Sequence, residues 1–185
     1  MELTRTPRLL LRHWERTDLQ AFFDLYSRPD VMRWLGPQPR RALASLSEAR
    51  DRLGRWHTRE RGLVAPLGYW AIVPCAEAAG QQADGPPAGT IVLLPLTDDH
   101  GLAGPIEVGW HLHPRCQGQG LATDAARAVV AMAAQAGIAE VLALTDPDNV
   151  ASQAVAVRLA MRDEGLTDRW FGLTTRQFRL TTTPG

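Results

Sequence analysis

Residues 106–127 read IEVGWHLHPRCQGQGLATDAAR, and this stretch decides the fold of the chain. Its first part, 106–112, alternates between large apolar side chains and a second set made of Glu107, Gly109 and His111. This period of two residues is typical of a β-strand whose two faces meet different surroundings. We therefore predict a strand with an apolar face and a face that carries groups able to do chemistry.

The segment after this strand predicts a turn, a helix and a second strand. Two glycines close together begin the turn, and residues 121–135 form an alanine-rich stretch that Gly137 is placed to end. Residues 141–144 are again an apolar run of the length of a strand. The order strand, helix, strand favours a parallel pair with a right-handed crossover.

The rest of the chain adds elements that complete an α/β domain. Apolar runs and helical spacing predict strands at 9–11, 69–73, 90–94, 167–171 and 177–180, and helices at 19–26, 41–61 and 149–159. Residues 76–88, with their Gly, Pro, Gln and Ala content, predict a mobile hairpin loop. We expect one domain with a mixed, mostly antiparallel central sheet of about seven strands, a parallel βαβ unit, and about four flanking helices.

Length and composition exclude several classes of protein. The chain has 185 residues, 45% of them apolar, which is enough for one domain with a buried core. Its 20 basic residues, all of them arginine, balance 20 acidic ones, so no nucleic acid or anionic membrane is expected as a partner. Neither a secretory signal at the opening MELTRTPRLLLRHWERTD nor a membrane-spanning apolar run is evident. We expect a soluble, cytoplasmic protein.

The turn in RCQGQGLATDAAR, residues 115–127, has the composition of an anion-binding loop. Gly118 and Gly120 let the backbone pass close to a diphosphate, while the free amides and the dipole of the following helix favour its charge. A tight strand-to-helix turn without a ligand would use the same glycines. A dinucleotide-binding turn would need a third glycine where this chain has Thr123, so that alternative is disfavoured.

Glu107 is an acidic residue in an otherwise apolar strand, and it shares a face with Gly109. A carboxylate in a partly dry cleft has a raised pKa, which suits it to take a proton from an ammonium group, directly or through water. A solvent-facing strand residue is the structural alternative, and the neighbouring phosphate turn favours catalysis. His111 and His113 lie on the same face without an apparent third ligand, so we expect no metal and keep His111 as a backup base.

Polar residues also begin the helix near 149. Asn149 and Ser152 could contact a ligand at the helix start, and capping by Asp148 or Asn149 is the ordinary role of such residues; both roles can hold together. Trp34 and Trp170 could line a substrate pocket, although packing in the core explains them equally well.

The segments 107–127 and 145–161, EVGWHLHPRCQGQGLATDAAR and TDPDNVASQAVAVRLAM, together resemble the GNAT superfamily of N-acetyltransferases. The likeness is greatest to the branch of ribosomal-protein N-terminal (alanine) acetyltransferases, and the opening PRLLLRHWERTDLQAFFDLYSRPDVMRWL is also typical of it. The resemblance implies a single acyl-CoA N-acyltransferase domain over 1–185, with an N-terminal strand and two helices in 1–65 and an acetyl-CoA-binding core at 106–161.

Carried onto this sequence, the resemblance implies transfer of an acetyl group from acetyl-CoA, the cosubstrate, to a primary amine by direct attack. Glu107 matches the usual base, and Ser152 the small polar residue near the thiol. The backbone at Leu112 and His113 would pair with the pantetheine arm, and residues 117–122 would bind the pyrophosphate. The implied coenzyme-binding residues are Leu112, His113, Arg115, Gln117, Gly118, Gln119, Gly120, Leu121, Ala122, Asn149 and Ser152.

Two residues depart from the family pattern. Ala156 replaces the tyrosine that serves many relatives as the acid for the departing thiolate, and Ala160 replaces a glycine. The missing tyrosine leaves an alternative open, a catalytically weak coenzyme-A-binding sensor or regulatory module. The acceptor stays open among protein N-terminal α-amines, polyamines and aminoglycosides, with Trp34, His111 and Trp170 as candidate substrate contacts. By resemblance, a homodimer that encloses the acceptor cleft is compatible with the sequence.

Overall fold

The computed structural model describes residues 2–36, 38–78, 81–97 and 103–182, and they form one mixed sheet with helices on both faces. The strands are β1 Glu2–Arg5, β2 Leu9–His13, β3 Gly68–Ala78, β4 Gln81–Asp84, β5 Gly89–Thr97, β6 Ala103–Leu112, β7 Glu140–Thr145, β8 Arg162–Trp170 and β9 Leu173–Thr181. The α-helices are α1 Leu19–Tyr26, α2 Pro29–Met32, α3 Leu46–Glu60, α4 Leu121–Gln135 and α5 Val150–Arg158. Short 3-10 turns lie at Arg16–Asp18 and Pro114–Cys116.

The sheet order confirms the predicted fold class. Eight strands follow the order β1-β2-β3-β5-β6-β7-β9-β8, and β4 pairs with β3. Within the described residues, β6 and β7 form the parallel pair, joined through α4, and the other neighbours are antiparallel. The strands not predicted from the sequence are β1 and β4. Both are four residues long, too short to show a hydrophobic period.

The segment predicted as a mobile hairpin loop at 76–88 contains more strand than the sequence indicated. Residues 75–78 of β3 pair with residues 81–84 of β4 in an antiparallel hairpin, so much of this stretch is strand, and residues 79–80 lie outside the described part. The second predicted helix is also shorter than 41–61. Ser45 caps α3 by accepting a hydrogen bond from the Glu48 amide, so the helix begins at Leu46.

Two hydrophobic cores lie on opposite faces of the sheet. On one face α4 and α5 pack against the central strands, and small residues such as Ala125, Ala126 and Ala133 let α4 approach the sheet closely. On the other face α1 and α3 pack around Phe22, Tyr26 and Leu53. The faces of β6 follow this division, because Val108 belongs to the first core while Glu107 points toward the α3 side. No helix within the described ranges is long and apolar enough to cross a membrane.

Helix α5 ends in a Schellman turn that is made with alanine instead of glycine. Ala160 donates to the Val157 carbonyl and Met161 to the Ala156 carbonyl, and Ala160 has φ +57°. A Cβ in this left-handed region costs about 1–2 kcal/mol. We expect Ala160→Gly to raise the free energy of unfolding by about 1 kcal/mol, since Ala160 is exposed and loses no packing.

Urea unfolding measures this change, with Ala131→Gly as the matched control. Ala131 is exposed in the interior of α4, where the same substitution should lower stability by about 0.5–1 kcal/mol. A loss of stability in both variants would contradict the account of the α5 turn.

Candidate active site

The parallel strands β6 and β7 separate soon after they pair. Their register contains Ile106↔Val141 and Glu107↔Leu142, whereas β6 continues to Leu112 and β7 to Thr145. A cavity of about 1330 Å³ occupies the gap between them, and we call it the cleft. Residues from both faces of the sheet line it, so the gap connects the α4 side with the α3 side.

The predicted phosphate turn lies at the α4 side of the cleft, and residues 117–122 are called the glycine loop here. Gly118 and Gly120 have φ +73° and +81°, which favours glycine at both positions. Gly120 is the N-cap of α4 and no side chain caps the helix, so its first amides keep their capacity for an anion. A Cβ at Gly118 would meet nothing within 4 Å. A loop with this geometry is suited to bind an anionic group such as a phosphate.

Arg8 of the loop before β2 holds the glycine loop from outside. Its guanidinium donates to the Gln119 carbonyl at 2.5 Å and pairs with Asp124 of α4 at 2.6 Å. Gln119 closes the turn further by donating from its side chain to the Arg115 carbonyl at 3.0 Å. Arg8 could not be recognised from the sequence, because it lies 111 residues from Gln119 and no local pattern joins the two.

The backbone groups of the two residues predicted to contact the pantetheine arm, Leu112 and His113, point in opposite directions. The His113 amide donates to the Ala88 carbonyl at 2.8 Å, so His113 faces β5. Because backbone groups alternate in direction along a strand, those of Val108, Trp110 and Leu112 point into the gap. The backbone of Leu112 therefore points to where a pantetheine arm would lie, as predicted for this residue. Its carbonyl accepts a hydrogen bond from the Gln117 side chain at 3.2 Å. His113 instead stabilises the following turn, where its Nδ1 accepts from the Arg115 amide.

The remaining predicted coenzyme residues differ in position. Gln117, Ala122, Asn149 and Ser152 line the cleft, and the Asn149 side chain caps α5 by accepting from the Ser152 amide at 3.2 Å. Arg115 is largely exposed and lies 3.5 Å from Asp24. Leu121 is buried in the core, so its side chain cannot contact a ligand and its contribution is limited to its backbone.

Glu107 lies at the narrow end of the gap, on the α3 side. Its Cα partner on β5 is Leu94. Gly109 lets the backbone approach closely here, since a Cβ at this position would lie 3.0 Å from Val92 Cγ2 and 3.9 Å from Glu107 Oε1. Burial raises the pKa of Glu107 to about 7, and the positive charge of Arg59 opposes this rise. A carboxylate with this pKa is matched to proton transfer near neutral pH.

His111 is held by a buried chain of hydrogen bonds. Its Nδ1 lies 3.0 Å from the Tyr26 hydroxyl, which contacts the Thr90 hydroxyl at 2.7 Å, and Trp14 donates to Thr90 at 3.1 Å. Burial, together with the charge of Arg52, lowers the pKa of His111 to about 3. The ring is therefore neutral and a poor proton acceptor, which disfavours the predicted role as a backup base. It does line the cleft.

A family comparison agrees with this geometry. Residues 8–162 match the acetyltransferase (GNAT) domain. The chain belongs to the GNAT acetyltransferase family.

Solved GNAT structures share its fold over nearly the whole chain. A GNAT-family acetyltransferase from Bacillus anthracis is 20% identical, with TM-score 0.72 and coverage of 98% of this chain and 99% of that one. A ribosomal-protein α-N acetyltransferase in complex with coenzyme A is 18% identical, with TM-score 0.72 and 98% of each chain covered. An enzyme from Salmonella typhimurium that modifies the N-terminal serine of a ribosomal protein is 18% identical, with TM-score 0.71 and coverages of 98% and 99%.

Of the two tryptophans predicted to contact the substrate, one lines the cleft and the other does not. Trp34 lines the cleft, and the Arg33 guanidinium lies 4.4 Å from its ring centre. Trp170 is buried against Leu96 and Leu142, and its Nε1 donates to Gln177 at 2.9 Å. Trp170 does not line the cleft, and its burial favours the packing role that the sequence also allowed.

The cleft of this GNAT domain is also lined by residues that the sequence did not identify as site residues. Trp56 of α3 stacks on Tyr69 of β3 with ring centres 4.3 Å apart, and both line the α3 side. On the cleft wall, the Trp110 Nε1 and the Thr145 hydroxyl are buried without a hydrogen-bond partner in the described part of the chain. Such orphaned groups are suited to a bound polar ligand. No cluster of potential metal ligands occurs among the described residues.

The raised pKa of Glu107 predicts a pH-dependent stability for the GNAT domain. The unfolded chain loses the Glu107 proton near pH 4.5, whereas the folded protein keeps it to about pH 7. Wild-type stability should therefore fall through this window relative to Glu107→Gln, which has no proton to lose. The Tm of the variant minus that of the wild type should be larger at pH 8 than at pH 4, measured by calorimetry without coenzyme. An equal difference at both pH values would contradict the burial of the charge.

Proposed function

We propose that this protein transfers an acetyl group from acetyl-CoA to a primary amine, with Glu107 as the general base. The observation that carries the proposal is the position of Glu107 in the cleft that the glycine loop also lines. When bound, acetyl-CoA would supply an acetyl thioester whose carbonyl carbon accepts the amine while the thiolate departs. The residues of the chain bind the coenzyme, admit the amine and remove its proton.

The glycine loop would hold the pyrophosphate through the amides of residues 118–122 and the α4 dipole. The gap-facing backbone of Val108, Trp110 and Leu112 would bind the pantetheine arm. Thr145 and Trp110 offer orphaned donors to the same ligand. This arrangement would bring the thioester to the narrow end of the gap, next to Gly109 and Glu107.

A protein or peptide α-amine is the acceptor that best suits this base. The pKa of an α-amine is about 8, whereas that of a lysine side chain is about 10.4. The pKa of Glu107, about 7, is close enough to that of an α-amine for the carboxylate to accept the amine's proton without a large energetic penalty. The structural neighbours that act on ribosomal-protein N-termini support this choice, and they support coenzyme A as the ligand.

A second candidate function rests on Ala156. This residue is fully buried in the core of the α4 side, so it offers no group to protonate a departing thiolate. Ser152, or water, would have to replace the missing tyrosine. Without such an acid, the protein would bind coenzyme A as a sensor and turn over slowly.

Two assays test both functions together: mass spectrometry of the peptides detects an added acetyl group, and a thiol assay detects the coenzyme A that is released. The protein is incubated with acetyl-CoA and short peptides that have either a free or a blocked N-terminus. We expect one acetyl group on each free α-amine and none on the blocked controls. Tight acetyl-CoA binding without acetylation of any peptide or small amine would contradict the enzyme and support the sensor.

A further inference from the structure

Helix α3 presents two arginines to the cleft around a central aromatic residue. Arg52, Trp56 and Arg59 follow at intervals of four and three residues, so they share one face of the helix. All three line the cleft on the side of Glu107 and His111, which we call the acceptor half. The stacked pair of Trp56 and Tyr69 forms its wall.

In the part of the chain that the structure describes, neither Arg52 nor Arg59 forms an ion pair with a carboxylate. Arg40, another cleft arginine, does have a partner, Asp146, at 2.6 Å. Within the described residues, Arg52 and Arg59 therefore keep charges that no carboxylate contacts directly, although Arg59 lies close enough to Glu107 to act on its pKa.

Arg52 is held in place by contacts with uncharged groups. Its guanidinium lies 5.1 Å from the Tyr26 ring centre, and its Nη1 lies 3.4 Å from the Met32 sulfur. Burial lowers the pKa of Arg52, which shows that the surroundings disfavour the lone cation. A bound anion would relieve this cost, and a fixed guanidinium binds carboxylate or phosphate better than a flexible ammonium does.

The two arginines lie at opposite ends of the acceptor half. Arg59 acts on the pKa of Glu107 and Arg52 on that of His111, so each lies near one of these β6 residues. Seven residues of helix separate the arginines by about 10 Å, and four residues of strand separate Glu107 from His111 by about 13 Å. An extended peptide with its amine at Glu107 would therefore pass both cations within its first few residues.

We propose that the acceptor half selects amines that carry an anionic group, a carboxylate or a phosphate within a few residues of the amine, and that Arg52 and Arg59 bind this group. The inference rests on the proposed function and specifies its substrate class. Acidic N-terminal peptides fit this chemistry, whereas polyamines and other polycations do not.

Steady-state kinetics with matched peptides test the selectivity. One peptide has Asp at its second and third positions, a second has Asn there, a third Lys and a fourth phosphoserine. We expect kcat/KM at least about tenfold higher for the Asp peptide than for the Asn peptide, with the difference shrinking in high salt. A higher kcat/KM for the phosphoserine peptide than for the Asp peptide would identify the anionic group as a phosphate. The opposite order would identify it as a carboxylate.

Variants of α3 assign the selectivity to the two arginines. Arg52→Gln and Arg59→Gln should each reduce the Asp-to-Asn ratio at least about threefold, and Arg52→Lys should retain most of it. Arg50→Gln is the control, since Arg50 is exposed on the same helix and does not line the cleft; it should keep the wild-type ratio. Equal kcat/KM for the Asp and Asn peptides, or a preference for Lys, would overturn the proposal.

Binding separates this inference from the proposed function. If no peptide is acetylated, calorimetry with the coenzyme-A complex measures the Kd of the same peptides. An acidic preference that Arg52→Gln removes would support the anion site even without chemistry. Equal Kd values for the Asp and Asn peptides would overturn it.

Discussion

Glu107→Gln is expected to lower kcat/KM by about 10²–10⁴-fold, the range that a positioned general base contributes. The amide keeps the shape of the side chain and loses its ability to accept a proton. Since burial places the pKa of Glu107 at about 7, wild-type kcat/KM should rise with pH through this value as the carboxylate ionises. The variant should lose this inflection, which a pH–rate profile with one peptide measures.

Two controls accompany this measurement. Acetyl-CoA should bind Glu107→Gln with a Kd close to that of the wild type, which shows that the cleft has formed. Glu2→Gln, at an exposed carboxylate at the start of β1, should keep wild-type kinetics. A Glu107→Gln enzyme with an unchanged profile would show that another group removes the proton.

Gly118→Asn is expected to raise the Kd for acetyl-CoA at least about tenfold. Asparagine tolerates the left-handed backbone of Gly118 better than other side chains do, so the chain should still fold. Its side chain would occupy the open space that the loop leaves for the pyrophosphate. Gly120 is a poorer site for this test, since a Cβ there would lie 3.4 Å from the Arg8 guanidinium that holds the loop.

Gly137→Asn is the matched control for this variant. Gly137 follows α4 with φ +77° and open space around its Cα, so the backbone demand is nearly the same. It does not line the cleft. Isothermal titration should show weak binding in Gly118→Asn and wild-type binding in Gly137→Asn. Equal Kd values in the two variants would remove the glycine loop from the coenzyme site.

The sequence predicted the parts of the site that local patterns determine. The strand at 106–112, the glycine loop and α4 are consecutive, so the period of two residues and the two glycines were enough to place them. Glu107 followed from the same pattern, because a charged residue within an apolar strand is visible without a partner strand.

The parts that depend on distant contacts could not be predicted in this way. The backbone direction of His113 was not visible in the sequence, because it depends on a hydrogen bond to Ala88. The packing of Trp170 was not visible either, because its neighbours Leu96 and Leu142 come from other strands. The brace from Arg8 and the charges of Arg52 and Arg59 become evident when the strands and helices are assembled. Helical spacing indicates the face of α3, but not that this face borders the cleft.

If the glycine loop holds a coenzyme, the cleft between β6 and β7 should bind acetyl-CoA. Isothermal titration of the wild-type protein with acetyl-CoA and, separately, with NAD measures this binding. We expect saturable binding of acetyl-CoA at one site per chain and no binding of NAD. Absence of acetyl-CoA binding by the folded protein, or tighter binding of NAD, would contradict this expectation.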